Sequence, residues 1–234
     1  MHGDGGNGGG GGGDGGDGGG SPQQDIRLLP VEVMARNHAL LCSIGFLILL
    51  PLGVLVARYV RTFTNKWFYS HATIQLVLAG PLIVAGYALG HQTTTMLEQP
   101  QFADPHQKVG LILFVLYLFQ VLLGAFIHFV KFPKLLGGRR PPQNYVHAIL
   151  GLVILALADY QVHYGLFTEW ALRTGGLHMV PESAKHAWMA LLIVFWVFYF
   201  GGLVLLRRQF KIEQEMREKA QMDERILLGD KGSN

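Results

Sequence analysis

Four of the ten histidines in this 234-residue chain, His38, His71, His106 and His147, each open a long apolar run. An imidazole placed in or at the edge of a membrane segment is costly, so its return at the head of successive segments points to chemistry. Two neutral imidazoles on facing helices are what a six-coordinate haem iron takes as axial ligands. For any one of these histidines the alternative is an interfacial ring hydrogen-bonded to headgroups or water. Four in register make the two-haem reading the better one.

The elements that must position these rings are five apolar spans: 38–60, 71–91, 106–130, 147–166 and about 186–206. Each is long enough to cross a hydrocarbon core of roughly 30 Å at about 1.5 Å per residue. Pro51 and Pro81 fall inside two of them, where a proline kinks a membrane helix without forbidding it. Fourteen Lys and Arg residues gather on one side of these spans and five on the other. The positive-inside rule therefore puts the amino terminus outside or luminal and the carboxyl terminus in the cytosol. On that topology His38 and His106 start near the outer face, and His71 and His147 near the inner face.

A porphyrin needs room beside its ligand, and a residue four positions on lies one turn along the same face. Gly110 follows His106 and Gly151 follows His147 at that spacing, while Gly124 lies further along the face of His106. Close helix packing through small residues explains any single one of them equally well. His128 returns to the face of His106 at the opposite end of its helix, which makes it the rival for the inner site. His91, His163, His178 and His186 all lie near the outer face, as substrate-side or loose metal groups or as ordinary interfacial histidines. Asp159, four residues before His163, is read either as that ring's partner or as a packing group satisfied by Tyr160 or Gln161.

With 50% hydrophobic and 15% charged residues and a mean hydropathy of +0.29, the composition suits lipid as solvent. The fold class that follows is all-α, an integral membrane helical bundle of about five helices around a four-helix core. Basic residues collect in loops beside the spans, so the formal charge of +3 reflects topology and not nucleic-acid binding. The single cysteine, Cys42, excludes an internal disulfide, and no CxxC or Cys/His cluster offers a zinc or iron–sulfur site. Residues 1–37 read as a disordered Gly/Asp-rich tail and short pre-helix without a signal peptide; 38–206 form the membrane domain. Residues 207–234 read as a charged cytosolic tail, a solvated helix extending the fifth span. No internal repeat is evident beyond the spacing of the spans.

The stretches HALLCSIGFLILLPLGVLVARYVR, WFYSHATIQLVLAGPLIVAGYALG, HQKVGLILFVLYLFQVLLG and RRPPQNYVHAILGLVILAL resemble the cytochrome b561 family. The likeness is to the fungal and plant members whose haem domain often follows a DOMON module, for which the residues ahead of His38 are too few. It implies two b haems, held by His38 with His106 and by His71 with His147, with Gly110 and Gly151 beside them. It also implies electron transfer from a cytosolic reductant to an outer acceptor such as ferric iron or monodehydroascorbate, an oxidoreductase activity. Lys66, Arg139 and Arg140 are candidates for binding an anionic reductant. The expected partners are membrane lipid, the small-molecule donor and acceptor, and a second copy of the chain in a homodimer, with no nucleic acid. The alternative reading is a transporter or channel using the membrane histidines as proton groups. A desaturase-like di-iron enzyme lacks its histidine boxes, and a ferric reductase with two histidines on each of two helices fits poorly. A structural membrane subunit would bind haem without redox activity.

Overall fold

The computed structural model of the protein describes residues 27–64, 66–130 and 141–231. The Gly/Asp tract through residue 26 and the candidate residues Arg139 and Arg140 lie outside the described residues. Five helices are long and apolar enough to cross a membrane: α1 (Pro30–Thr62), α2 (Trp67–Met96), α3 (Pro105–Phe129), α4 (Pro142–Arg173) and α5 (Glu182–Met216). Helix continues beyond α5 to Lys231, and no strand occurs among the described residues. The protein is an all-helical membrane bundle.

The helix starts follow from local chemistry. A proline whose missing N–H costs nothing in a first turn opens α1, α3 and α4. Ahead of α1 the Leu29 amide donates to Glu32 Oε2 at 2.7 Å, and ahead of α3 the Gln107 amide donates to Asp104 Oδ1 at 2.9 Å. The expected start of the first span at His38 is thus two turns late, because the polar segment from Pro30 is already helical.

Pro51 and Pro81 leave their helices continuous. Each is preceded by a wide π turn, Ile44–Leu49 in α1 and Thr73–Leu78 in α2. There the Leu50 amide reaches the carbonyl of Gly45, and the Ala79 amide that of Ile74, five residues back. Such a turn holds one more residue than an α turn and absorbs the interrupted ladder.

Helices α1 and α2 pack as one antiparallel pair and α3 and α4 as another, with α5 against α1 and α4. The core is a central layer of Phe46 and Leu50, Ala79 and Ile83, Leu113 and Tyr117, and Ile154, Leu155 and Ala158, closed by Phe195 and Tyr199. On every one of the first four helices it lies midway along the span. Leu122, Val197 and Val204 are exposed on the outside of the bundle, as a lipid-facing surface requires.

The carboxyl-terminal extension is not wholly solvated as expected. Gln209 and Glu213 are buried, and Glu213 pairs with Arg61 at the end of α1 at 2.8 Å. One turn earlier on α1, Arg58 donates to the Tyr199 hydroxyl at 2.6 Å with its guanidinium 4.7 Å from that ring's centre. At the opposite end Arg173 joins α4 to α3, 2.6 Å from Asp104 and 2.7 Å from Glu169. His178, in the α4–α5 connection, lies 3.0 Å from Glu32 of α1.

Candidate functional site

The antiparallel pairs bring the four span-opening histidines together two by two. At one end of the bundle His38 of α1 faces His106 of α3 with ring centres 6.2 Å apart and planes at 81°. At the other end His71 of α2 faces His147 of α4 at 6.4 Å and 76°. All four rings are half-buried. Two metal–imidazole bonds of about 2.0 Å, plus about 1.1 Å of ring radius on each side, would put ring centres about 6.2 Å apart. Each couple therefore has the spacing of two axial ligands to one iron. Among the described residues no three His, Cys, Asp or Glu side chains converge as a metal cluster, so the unit is the couple.

Two of the ring orientations are fixed from behind. Nδ1 of His38 lies 2.7 Å from the Gly86 carbonyl of α2, and Nδ1 of His71 lies 2.8 Å from the Gly53 carbonyl of α1. A ring N–H donated to a carbonyl leaves Nε2 with its lone pair free, which is the tautomer a metal needs. On α3 and α4 glutamines hold the main chain of the histidines: Gln161 Nε2 donates to the His106 carbonyl at 2.6 Å and sits 3.0 Å from His106 Nδ1. Gln120 Nε2 donates to the His147 carbonyl at 2.6 Å.

Beside the His38–His106 couple a cavity of about 240 Å³ runs into the bundle, lined by both rings, Gly90, Gly110, Gly165 and Gln161. The rings lie so close to the neighbouring helices that side chains are excluded there. A Cβ at Gly90 would stand 2.8 Å from His38 Nδ1, and one at Gly124 would stand 3.1 Å from His147 Cε1. Gly110 and Gly151, singled out for macrocycle room, face the amides of Gln161 and Gln120 at 3.2 and 2.9 Å from a hypothetical Cβ. The paired imidazoles, with a cavity beside the His38–His106 couple, fit a bis-histidine haem there.

The other candidates stand apart from the couples. His128 stacks on Phe68 at 3.6 Å and 5°, and among the described residues no histidine ring is stacked with it. His163 packs on Phe167 and Trp188, and His91 and His186 are exposed. Asp159 is served by none of the three partners expected on its own helix. Its Oδ2 accepts from Trp196 Nε1 at 3.1 Å and its carbonyl from Trp188 Nε1 at 3.2 Å, both from α5. Lys66 is exposed at the start of α2, at the His71 end.

Gln120 and Gln161 were not anticipated from sequence, although a signal existed. The pattern H-x3-G-x9-Q-x3-G occurs as His106, Gly110, Gln120 and Gly124, and returns 41 residues on as His147, Gly151, Gln161 and Gly165. It is an internal repeat, and the antiparallel packing of α3 on α4 sets the histidine end of each copy against the glutamine end of the other.

A family model described as eukaryotic cytochrome b561 matches residues 37–172. Among curated proteins, the chain is similar to three cytochrome b561 and DOMON domain-containing proteins of Arabidopsis thaliana. One is 29% identical over 167 residues, covering 70% of this chain and 38% of the relative. A second is 29% identical over 139 residues (55% and 27%), and a third 24% over 149 residues (62% and 37%). The chain thus spans about a third of the length of these relatives. No solved structure matches.

Proposed function

Because the chain belongs to the eukaryotic cytochrome b561 family, whose members are membrane proteins that bind b-type haem and transfer electrons, we propose that it carries electrons across the membrane through two haems. His38 with His106 would hold one and His71 with His147 the other. The observation that carries this reading is the pair of matched ring spacings, 6.2 and 6.4 Å, at opposite ends of one bundle. Bound haem supplies reversible one-electron chemistry. The chain's own residues do the rest: the imidazoles clamp, the Gly86 and Gly53 carbonyls fix the tautomer of two of them, and the apolar layer between the couples keeps water out.

The couples sit roughly 21 Å apart along the bundle, since about four turns of helix separate their levels. The amino-terminal side faces outward and the carboxyl-terminal side the cytosol, which supports a cytosolic donor at the His71 couple and an outer acceptor at the His38 couple. Lys66, with Arg139 and Arg140, is suited to attract an anionic reductant, and ferric iron or monodehydroascorbate fits the acceptor side. The activity is that of a transmembrane oxidoreductase working with small-molecule partners, and a homodimer is the proposed assembly.

The test is haem content and spectrum in detergent. The purified chain is expected to give a pyridine haemochrome of b type at two haems per chain and a low-spin bis-imidazole spectrum. His71→Ala is expected to lose about half of the bound haem while keeping a monodisperse elution profile. A chain without stoichiometric haem but with pH-dependent ion flux would replace this reading with the transporter one.

A further inference from the structure

The rings of the His38–His106 couple come from different helix pairs, His38 from α1 of one and His106 from α3 of the other. A flat group held between them lies between the pairs, so its release requires the pairs to part. The cavity beside the rings runs from the apolar waist to a polar rim at the His38 end of the bundle. One lip of that rim is the first turn of α1, with Val31 and Glu32; the other is the end of α4 and the connection to α5, with Trp170, Thr174 and Val180. Deeper in the bundle α1 meets α4 at its π turn Ile44–Leu49. At the rim a side-chain bridge crosses between the lips, His178 Nδ1 lying 3.0 Å from Glu32 Oε1. Both ends of this bridge are held. The Leu29 amide donates to Glu32 Oε2 at 2.7 Å, and Trp170 Nε1 donates to the His178 carbonyl at 2.7 Å. Gly175 and Gly176, at φ of 60° and 75°, turn the chain back after α4 and so bring His178 toward α1.

We propose that the Glu32–His178 bridge is a clasp that retains the haem of the His38–His106 couple, both residues acting as positioning groups away from the iron. The inference rests on the two-haem reading. The bridge ties the connection after α4 to α1, across the boundary that separates the two ligands. Its side chains are largely withdrawn from water, His178 15% and Glu32 11% accessible, so parting them leaves a carboxylate and a ring nitrogen poorly solvated. Opening of the slot is disfavoured to that extent. The neighbouring Asp104–Arg173 bridge does not serve this purpose, because it joins α3 to α4 within one pair. At the His71 end the bridges of Arg58 to Tyr199 and Arg61 to Glu213 run from α1 to α5 and its extension. The clasp therefore acts on one haem of the two.

Transfer of haem to excess apomyoglobin from the full-length ferric chain in lipid nanodiscs tests this. The rate is read in two backgrounds: His71→Ala, expected to keep the haem of the His38 couple, and His106→Ala, expected to keep the other. His178→Ala should speed haem loss about fivefold or more in the first background and leave the second unchanged. Glu32→Gln, which still offers an acceptor to the Leu29 amide, should do the same. The two changes combined should be no faster than the faster single variant, since both break one bridge. Selective absence of the His38-couple haem from a purified, monodisperse variant is the extreme of the same result. Should His178→Ala fail to fold, His178→Asn is read in its place. A smaller acceleration, equal acceleration in both backgrounds, or single effects that multiply in the double variant would overturn the proposal, the last being the mark of two unrelated packing losses. A wild-type chain with two haems and variants with unaltered rates defeat this inference alone, whereas a wild-type chain without two haems defeats the reading beneath it as well.

Discussion

Gly90 marks where the site tolerates least at the scale of single residues. A methyl group there would meet His38 Nδ1 at 2.8 Å and Cε1 at 2.9 Å, closer than non-bonded carbon and nitrogen approach. The ring could yield only by leaving the Gly86 carbonyl, so Gly90→Ala attacks ligand geometry without touching a ligand. Overpacking of this kind costs about 1–3 kcal/mol. At Gly124 the corresponding contact with His147 is 3.1 Å, so Gly124→Ala should be milder. The expected order of haem absorbance per chain is wild type, then Gly124→Ala, then Gly90→Ala; equal occupancy in all three would show that neither glycine matters to the rings. The four histidines were legible from sequence because a costly residue type recurred at segment heads. Gln120 and Gln161 were not, because an amide carries no charge and is unremarkable in a membrane helix until its partner is known. The same blindness hid the tryptophan partners of Asp159, which come from α5 and leave no trace in local spacing.

Among elements, the two helix pairs solve one geometric problem with different numbers of residues. From His106 to Gln120 and from His147 to Gln161 the step is 14 residues, about four regular turns. From His38 to Gly53 and from His71 to Gly86 it is 15. The extra residue is the one held by the π turns Ile44–Leu49 and Thr73–Leu78, which lie between those positions. With the turn in place, the histidine and the carbonyl that backs the ring of the partner helix in the same pair share a face. Removing the exposed Ile48 from α1 would let the π turn relax to α while keeping that face, whereas removing the exposed Phe119 from α3 would rotate Gln120 away from His147. Haem retained by the first deletion and lost by the second is the expected result, and equal loss in both would refute the compensation. Long apolar runs made the five spans readable within about two turns. The π turns were beyond reach, since only the proline announced an irregularity and not its form. The docking of Glu213 on Arg61 was likewise hidden, because a mixed-charge helix looks the same solvated or packed.

The whole molecule carries its charges unevenly. Arg58, Arg61, Lys66, Arg207, Arg208 and Lys211 surround the His71 end, while at the His38 end Arg173 and Lys185 are each tied to a carboxylate. Positive-inside orientation therefore predicts that, in sealed right-side-out vesicles, protease removes an amino-terminal tag and spares a carboxyl-terminal one; the reverse pattern would invert the proposed direction of electron flow. Between the two couples, the waist of Phe46, Leu50, Ala79, Ile83, Leu113, Tyr117, Ile154, Leu155 and Ala158 contains no carboxylate, imidazole or amine. On the proposed reading an electron crosses this apolar waist, and the carboxylate next to it, Asp159, is bonded to Trp196 of α5. Each such transfer would displace net charge across the bilayer, with work of about 2.3 kcal/mol per elementary charge for every 100 mV. In the proposed orientation a resting potential negative inside would push electrons from cytosol to exterior, making the cell's own voltage a co-driver of the proposed reduction.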